Sequence, residues 1–397
     1  MDIRRLTLDD HVPSYRMAVE AFGAPPEVPD PPSTWPAGRE VWGAWDGDRL
    51  LARVATLDLE SWWHGQRLRT AGVASVAVAP EQRGRGLLRP LFEAALGAAA
   101  ERGDVLSTLY PTANGIYRSL GYELIGSYDT VELASAELAA VRPPATTTLR
   151  RATVEDLPAV RETYAAWAAQ QNGPLTRTGP RFAEPDAEVL GEVTAYTLAV
   201  EGDRVVGYAS WDRGRGYDPT ESVIEVWDLV ALTADGYRAL WRMLGSSGSV
   251  VGRVRLRTSG EDPARLVLPT STWHVVGRHP YMLRVGDPAG ALSAARLEVP
   301  GLARTEVGLA VAGDRLGSAE GTYRLVLGDG PGRCERTSSG ADDGVATFTP
   351  QGLALAFAGV QSCGNLRLAG HLTGPDEHDR LLDVVLGGRP VHTRDYF

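Results

Sequence analysis

The sequence contains no lysine, so all 40 of its Lys and Arg residues are arginine. This absence excludes three kinds of active site: a phosphate-binding loop with its lysine, a lysine that forms a Schiff base, and a Ser-Lys dyad. The reaction must therefore be one that needs none of these lysines.

Cysteine is also scarce, because only Cys334 and Cys363 are present and their separation matches no zinc or redox motif. We expect both to be buried thiols, and we expect no metal site. No apolar run reaches the roughly 20 residues that span a bilayer, and no apolar signal segment follows Met1. The sequence therefore predicts a cytoplasmic protein without a membrane partner.

Positive charge is in deficit, since the formal net charge is −10 and the pI is about 5.3. No basic stripe runs along the chain, which argues against a nucleic-acid partner. An acidic surface favours a cationic small molecule or a basic peptide, although many cytoplasmic proteins are acidic for solubility alone. At about 100–200 residues per domain, the length predicts two to four domains.

What the chain does contain is an internal repeat. IRRLTLDD at residues 3–10 returns as LRRATVED at residues 149–156, and DGDRLL at 46–51 returns as EGDRVV at 201–206. The pairs keep the same order at nearly the same separation, which indicates two tandem copies of one domain. The segment 142–148, with two prolines and small polar residues, is typical of a linker. We therefore predict domains at 1–142 and 143–280.

Each copy has a readable local pattern. Thr7 and Thr153 are suited to cap a helix, and the Gly-Asp-Arg unit of each copy is suited to a hairpin turn. In the first copy we predict a buried strand over residues 71–79, a helix over 87–101 and a strand over 106–110.

The pattern changes from about Tyr281 onward. A short helix is predicted over residues 288–296, followed by strand-like runs with Gly-rich turns, for example 323–327 and 353–357. We predict a third, α+β domain at 281–397.

The segment VAVAPEQRGRGLL at residues 76–88 joins a buried apolar strand to a helix through a Gly/Arg loop. The N–H groups of such a loop and of the helix N-terminus attract a pyrophosphate. Gly84 and Gly86 let the backbone approach a ligand closely, and Arg83 and Arg85 supply charge and planar forks for phosphate. The alternative is an ordinary strand–turn–helix with surface arginines.

The chain provides its own comparison, because Arg-Gly-Arg-Gly occurs again at residues 213–216. There it precedes Tyr-Asp-Pro and opens no helix, so we predict a surface loop. The matching strand of the second copy, residues 224–232, runs into Thr-Ala-Asp-Gly without an arginine pair. The second copy is therefore predicted to keep the fold and to lack the cofactor site.

On these residues the chain resembles the GCN5-related N-acetyltransferases (GNATs), whose motif is [Gln/Arg]-x-x-Gly-x-[Gly/Ala] after a Val-x-Val-x-Pro strand. The resemblance implies acetyl-CoA as the cofactor, with its pantetheine arm on the strand and its pyrophosphate in the loop. One departure is Leu88, where that family usually has Gly or Ala. The implied cofactor-binding residues are Val76, Ala77, Val78, Arg83, Gly84, Arg85, Gly86, Leu87 and Thr112.

A second signature, YRSLGY at residues 117–122, is similar to the Tyr-x-x-x-Gly-[Phe/Tyr] of the same family. The resemblance implies that Tyr117 protonates the departing coenzyme thiolate, a role that suits a phenol with a pKa of about 10. The alternative for Tyr117 is a packed tyrosine with a satisfied hydroxyl. We expect Tyr122 to lie in the core.

Along its whole length the chain resembles the "enhanced intracellular survival" (Eis) family. ESWWHG at 60–65 resembles that family's Trp-rich stretch, and LRVGDPAGAL at 283–292 resembles the entry to its last domain, with Gly286 and Gly290 as departures. The resemblance implies an α+β fold class: tandem GNAT folds, each a mixed central sheet with flanking helices, followed by a sterol-carrier-protein-like α+β domain. It also implies a homo-oligomer, a hexamer.

The same resemblance implies an unusual general base, the C-terminal carboxylate, which here belongs to Phe397. A terminal carboxylate has a reference pKa of about 3.5 and is ionised at neutral pH. Asp395 and Glu123 are the alternative bases. Without the resemblance, a frayed and solvated terminus is the ordinary expectation.

Three aromatic residues are candidates for the acceptor pocket. Phe22, Trp35 and Trp62 are candidate walls of its pocket and equally candidate core residues. The resemblance implies a primary amine of a cationic small molecule, aminoglycoside-like or another polyamine, or a lysine side chain of a protein. Two alternatives are a biosynthetic acyltransferase for one natural-product amine and a non-catalytic protein whose last domain binds an apolar ligand.

Overall fold

The computed structural model describes residues 1–260, 262–268, 273–337 and 344–397. The first copy contains, in chain order, β1 (Asp2–Arg5), α1 (His11–Phe22), β2 (Arg39–Asp46), β3 (Arg49–Trp63), β4 (Gln66–Val78), α2 (Leu88–Glu101), β5 (Leu106–Leu109), α3 (Asn114–Arg118), β6 (Glu123–Ala134) and α4 (Ser135–Ala139).

The second copy repeats this order of elements up to its last strand, with one additional helix, α6, before β8. It contains β7 (Thr148–Arg151), α5 (Leu157–Ala168), α6 (Asp186–Gly191), β8 (Ala195–Glu201), β9 (Arg204–Arg213), β10 (Val223–Ala231), α7 (Ala234–Gly245), β11 (Arg253–Thr258), α8 (Ala264–Val267) and β12 (His274–Val285).

The repeat is visible in atomic contacts as well as in sequence. In the first copy Thr7 and Asp10 form a capping box before α1, and Arg4 binds the Asp10 carboxylate through two hydrogen bonds of 2.8 Å. In the second copy Thr153 and Asp156 form the same box, and Arg150 binds Asp156 in the same way. The predicted tandem fold is therefore confirmed.

The two copies share one sheet of 12 strands, in the order β1-β2-β3-β4-β5-β12-β6-β11-β10-β9-β8-β7. Each copy gives its last strand to the other: β12 pairs with β5 of the first copy, and β6 pairs with β11 of the second. Residue 281, the predicted start of the last domain, lies inside β12, which continues to Val285.

The third unit is an α+β domain. It contains α9 (Pro288–Ala294), β13 (Thr305–Val311), β14 (Gly321–Leu327), β15 (Arg333–Thr337), β16 (Ala346–Phe348), α10 (Pro350–Ala358), α11 (Cys363–Leu368), β17 (Leu372–Thr373) and α12 (Asp379–Leu386). The five strands form a separate sheet in the order β15-β14-β13-β16-β17. Cys334 and Cys363 are free, buried thiols, as expected.

One local prediction in this unit is wrong. The run 353–357, predicted to be strand-like, lies in α10. Thr349 caps this helix by accepting a hydrogen bond from the Gly352 N–H, and Gly359 ends it with a φ of +71°. Nearly every residue of α10 is buried, so all of its faces are apolar and no helical stripe shows in the sequence.

Within the described ranges, no helix is long and apolar enough to cross a membrane.

Candidate active site

Strands β4 and β5 separate part-way along their length. Their parallel pairing ends at Val73 and Leu109, but β4 continues to Val78 with a partner only on its β3 side in the described chain. Ser75, with a φ of +51°, lies in a bulge at the point of separation. Backbone groups of Val76, Ala77 and Val78 therefore face an open edge, where an extended ligand can complete their hydrogen bonding.

The Gly/Arg loop follows directly after this edge. Gly84 and Gly86 have φ values of +77° and +75°, and a Cβ atom added to either would have no neighbour within 4 Å. Glycine is needed here for the backbone conformation, and the space beside it is open.

The charges around this loop suit an anion. The exposed side chains of Arg83 and Arg85 form no ion pair with any residue that the structure describes. Leu87, the N-cap of α2, provides no side-chain cap, and the first turn of α2 carries no acidic residue. The Leu87 side chain is buried in the hydrophobic core of the first copy, so only the backbone of this residue can face a ligand. An uncapped helix N-terminus beside two unpaired arginines attracts anions.

The corresponding place in the second copy is built differently. Strands β10 and β11 also stop pairing part-way, at Val226 and Leu256. The helix that follows, α7, is capped by Thr233, and its first turn holds the carboxylate of Asp235. A helix N-terminus that is capped and already carries a negative charge attracts an anion less strongly than the open N-terminus of α2.

The second Arg-Gly-Arg-Gly sequence supports its own loop. The guanidinium of Arg213 donates hydrogen bonds to the carbonyls of Gly214, Gly216 and Val250. No helix opens at this point, because residues 216–222 form a turn that leads into β10.

Tyr117 lies on α3 and is only 7% exposed. Its ring packs against Phe92 and Tyr122, with ring centres 6.2 and 6.3 Å away. Burial raises the pKa of Tyr117 above its usual value of 10.0, and a hydrogen bond with Thr112 acts in the opposite direction. The phenol is therefore protonated throughout the neutral range, as a general acid must be. Tyr122 is fully buried and shares a 2.6 Å hydrogen bond with Ser107, as expected of a core residue.

The C-terminal segment, residues 387–397, leaves the third domain and is held against the shared sheet. The N–H of Asn172 donates to the Pro390 carbonyl, and the N–H of His392 donates to the Asn172 carbonyl. The guanidinium of Arg394 donates to the carbonyls of Arg257 and Leu229, which lie on the two strands that separate in the second copy. The separation between β10 and β11 of the second copy is thus bridged by Arg394 of the C-terminal segment, whereas the separation between β4 and β5 of the first copy stays open in the described chain.

The last residues of this segment are fixed by aromatic contacts. The Tyr110 hydroxyl donates a 2.6 Å hydrogen bond to the Asp395 carbonyl, and its ring centre lies 4.5 Å from that of Tyr396 and 5.4 Å from that of Phe397. The Phe397 ring lies 3.1 Å from the position of a Cβ atom added to Gly72, beside the end of the β4–β5 pairing. The terminus is therefore ordered, and it lies next to the strand separation.

The two alternative carboxylates are engaged elsewhere. Asp395 accepts a 2.8 Å hydrogen bond from Arg177, which also binds Asp228. Burial raises the pKa of Asp395, and the charge of Arg177 acts in the opposite direction. Glu123 accepts hydrogen bonds from Nε and NH2 of Arg118, at 2.7 to 3.0 Å.

The three predicted pocket residues lie in three different environments. Phe22, at the end of α1, is 52% exposed. Trp35 packs against a cluster that includes Met17 and Val41. Trp62 packs against the core of the second copy. The structure does not bring these residues together into one wall.

Several residues beside the terminus were missed by the sequence reading. Phe397 and Phe182 pack against a cluster of Leu57, Leu59 and Leu175, whose members come from β3 and from the segment of the second copy after α5. Their contact depends on how the second copy is docked, and no spacing in the sequence reports that.

Comparison with known families agrees with this architecture. Residues 2–125 and 173–285 each match a model described as "Acetyltransferase (GNAT) domain", and residues 288–394 match a model described as "Sterol carrier protein domain". The matches follow the chain in the order of the three units described above.

Individual relatives extend the similarity over most of the chain. The N-acetyltransferase Eis of Mycobacterium tuberculosis is 30% identical over 326 residues, which cover 76% of this chain and 74% of the relative. An uncharacterized N-acetyltransferase of Streptomyces avermitilis is 26% identical over 388 residues, covering 94% of this chain and 93% of that protein. The crystal structure of a GCN5-related N-acetyltransferase from Kribbella flavida is 29% identical with a TM-score of 0.81, covering 100% of this chain and 98% of that chain. The chain is therefore an N-acetyltransferase and belongs to the Eis family of GCN5-related N-acetyltransferases.

Proposed function

We propose that this enzyme binds acetyl-CoA between β4 and the Gly/Arg loop and transfers the acetyl group directly to a primary amine. GNAT acetyltransferases in general use acetyl-CoA. The open edge at Val76–Val78 offers hydrogen bonds to the pantetheine arm. Arg83, Arg85, the free N–H groups before α2 and the open space beside Gly84 and Gly86 fit the pyrophosphate.

The proposed roles of the residues follow from their chemistry. Acetyl-CoA, when bound, supplies the acetyl group as a thioester, so the transfer forms an amide bond and breaks a carbon–sulfur bond. The Phe397 carboxylate accepts a proton from the acceptor ammonium, directly or through water, which frees the nitrogen lone pair. Tyr117 donates its phenolic proton to the departing sulfur. A backbone N–H near Val78 donates a hydrogen bond to the thioester carbonyl.

The observation that carries the proposal is the ordered terminus beside the strand separation. Asp395 and Glu123, the other candidate bases, are held by Arg177 and Arg118. A cysteine nucleophile is not needed for direct transfer, and burial raises the pKa of both Cys334 and Cys363 to about 12. Intact Arg83, Gly86 and Tyr117 also argue against a protein that has lost catalysis and only binds an apolar ligand.

Three acceptor classes are compatible with these roles. A cationic polyamine, aminoglycoside-like or otherwise, is the class that the family resemblance implies, and the net charge of −10 suits it. A single natural-product amine and a protein lysine side chain need the same catalytic groups and differ only in the pocket. Mass-shift screening of these three classes with acetyl-CoA separates them, because activity confined to one scaffold indicates biosynthesis.

The coenzyme site is tested by calorimetry of acetyl-CoA binding. We expect Arg83→Ala to raise the Kd by about 10-fold to 100-fold, because a hydrogen bond to a charged group contributes roughly 1.5–3 kcal/mol. We expect a similar loss for Gly86→Val, because a β-branched residue is strained at a φ of +75°. The matched control is Arg215→Ala in the second Arg-Gly-Arg-Gly loop, which should bind like wild type. Equal affinities for Arg83→Ala and Arg215→Ala would remove the loop from the coenzyme site.

As part of the same proposal, the enzyme acts in the cytoplasm as a homo-oligomer, a hexamer, without a nucleic-acid or membrane partner. Light scattering should give six times the 42.5 kDa mass of one chain. A monomeric mass at micromolar concentration would contradict the hexamer.

A further inference from the structure

The second copy contains a strand separation that corresponds to the proposed coenzyme cleft of the first copy. In the first copy, β4 stops pairing with β5 at Val73, and a bulge at Ser75 follows. In the second copy, β10 stops pairing with β11 at Val226, and a bulge at Trp227 follows. The second copy therefore has the same separated strands, although its helix α7 is capped.

The C-terminal segment occupies this separation. Arg394 donates hydrogen bonds to the carbonyls of Leu229 on β10 and Arg257 on β11, at 3.3 and 2.7 Å, so one guanidinium joins both strands. The same guanidinium lies 5.1 Å from the ring centre of Trp167, and the ring of His392 contacts that indole from its edge. Backbone groups at a strand separation need hydrogen-bond partners, and here the end of the chain itself provides them.

Arg177 connects the second copy to the last three residues of the chain. It lies between α5 and α6, and its Nε donates a 2.8 Å hydrogen bond to Asp395 Oδ1. Its two terminal nitrogens bind the carboxylate of Asp228, which directly follows the bulge of β10 and also accepts a 3.0 Å hydrogen bond from the Tyr208 hydroxyl. The guanidinium lies 4.1 Å from the ring centre of Tyr164. Arg177 is thus fixed by the second copy and reaches the C-terminal segment through Asp395.

The charges of this group favour the contact between Arg177 and Asp395. Burial acts to lower the pKa of Arg177, but the charges of Asp228 and Asp395 outweigh it and raise that pKa well above its usual value. Arg177 therefore stays charged throughout the neutral range. A hydrogen bond between ionised groups is roughly twice as strong as one between neutral groups.

Asp395 lies two residues before the terminal carboxylate. Two residues of extended chain span at most about 7 Å, so fixing Asp395 confines the Phe397 carboxylate to a small volume. Tyr110, from the first copy, holds the same residue through its carbonyl. Asp395 is thus held by its side chain from the second copy and by its backbone from the first. Such placement matters for a base, because a misplacement of about 1 Å can lower a rate about 100-fold.

We propose that the separated strands of the second copy serve as the docking site of the terminal base, with Arg177 as a positioning residue that acts through Asp395. The second copy thus contributes to the reaction of the first, although it lacks the Gly/Arg loop. This inference rests on the proposed function for the role of the Phe397 carboxylate, but docking of the C-terminal segment can be measured without any reaction.

Docking is measured by digesting the full chain with carboxypeptidase A, which removes aromatic residues from a free C-terminus. Intact-mass spectra give the rate at which Phe397 is lost, and this rate follows the population of undocked C-terminal segments. Asp395→Ala changes only this segment and removes the acceptor for Arg177 Nε. We expect it to lose Phe397 about 10-fold to 100-fold faster than wild type. Asp395→Asn keeps an oxygen that can accept the hydrogen bond, so it should restore most of the wild-type resistance.

Turnover is measured on the same variants by thiol release, with the amine that gives the largest mass shift in the acceptor screen. Asp395→Ala should lower kcat by about 10-fold to 100-fold, and Arg177→Gln, which removes the donor from the other side, should do the same. The Kd for acetyl-CoA, measured by calorimetry, should stay within a few-fold of wild type because the Gly/Arg loop is untouched. Asp395→Asn should recover most of the lost kcat.

The matched control is Arg367→Gln in the third domain. Arg367 binds Asp379 through Nε and NH2 at 2.7 and 2.8 Å, and its side chain is 23% exposed, compared with 25% for Arg177. The control removes an ion pair of similar geometry and burial, and should keep both the wild-type resistance of Phe397 and the wild-type kcat. Equal losses in Arg177→Gln and Arg367→Gln would indicate a general loss of stability and would overturn the positioning role.

Two further results would contradict the docking of the base by Arg177. One is wild-type loss of Phe397 together with wild-type kcat in Asp395→Ala. The other is an equal decrease of kcat in Asp395→Ala and Asp395→Asn, because the missing group would then be the carboxylate and not the hydrogen bond.

Failure of the proposed function gives a different result. Wild type that has lost Phe397 carries its terminal carboxylate one residue earlier, so its turnover should fall as the digestion proceeds. If the digested enzyme keeps its turnover while Asp395→Ala still loses Phe397 faster than wild type, the base lies elsewhere. The docking of the C-terminal segment by Arg177 then stands without the catalytic role of Phe397.

Discussion

A chain extended by a few residues beyond Phe397 should lose acetyl transfer by at least about 100-fold, the lower end of what a general base contributes. The extension converts the terminal carboxylate into a neutral amide, which cannot accept a proton at pH 7. The aromatic side chains of Tyr396 and Phe397 remain, so the contacts with Tyr110 can still form. Acetyl-CoA affinity should stay within a few-fold of wild type, because the Gly/Arg loop is untouched.

The control is the same extension placed before Met1, which should leave turnover unchanged. A second variant, Asp395→Asn, keeps the terminal carboxylate and removes the alternative base. It should keep most of the turnover in molecules that remain folded, although it leaves Arg177 with Asp228 as its only carboxylate partner among the described residues. Wild-type rates from the C-terminally extended chain, or a complete loss in folded Asp395→Asn, would assign the base elsewhere.

The conformation of the Gly/Arg loop could be predicted from sequence because its requirements are local. Gly84 and Gly86 provide the positive φ angles of the loop and alternate with Arg83 and Arg85. The helix α2 begins two residues after Gly86, at Leu88. The same logic identified the second Arg-Gly-Arg-Gly as a different kind of loop, since nothing helical follows it. Both the glycine conformations and the helix start are encoded by near neighbours along the chain.

The exchange of β6 and β12 between the two copies could not be predicted in this way. Each strand has the composition of a sheet strand, and no residue in it specifies which copy provides the partner. The α10 error has a related cause, because a helix that is buried on every side has no polar face to give it a 3.6-residue period. In both cases the deciding contacts are distant in sequence.

The environment of the terminus depends even more on distant contacts. Arg394 reaches carbonyls of β10 and β11, and Tyr110 reaches the Asp395 carbonyl 285 residues away. From residues alone the tail is an ordinary solvated end, and only the family resemblance suggested otherwise.

Tyr117→Phe should lower kcat by about 100-fold or more, within the range of general acid catalysis, and leave the Kd for acetyl-CoA nearly unchanged. The substitution removes one hydroxyl and keeps the ring that packs against Phe92. Without that proton the sulfur must leave as a thiolate, which is the less stable form of the leaving group at neutral pH. The measurement is steady-state thiol release together with calorimetry of coenzyme binding.

Tyr122→Phe is the matched control, because it also removes a tyrosine hydroxyl. The ring centres of Tyr122 and Tyr117 are 6.3 Å apart. That hydroxyl bonds to Ser107, so its loss should lower the free energy of unfolding by roughly 0.5–1.5 kcal/mol and leave kcat near wild type. The pH profile gives an independent reading. Tyr117 acts in its protonated form and burial raises its pKa above 10.0, so deprotonation of Tyr117 should lower kcat only above pH 10. A fall in kcat centred near pH 8, present in wild type and in Tyr117→Phe, would belong to another group. Unchanged kcat in Tyr117→Phe would mean that solvent protonates the sulfur.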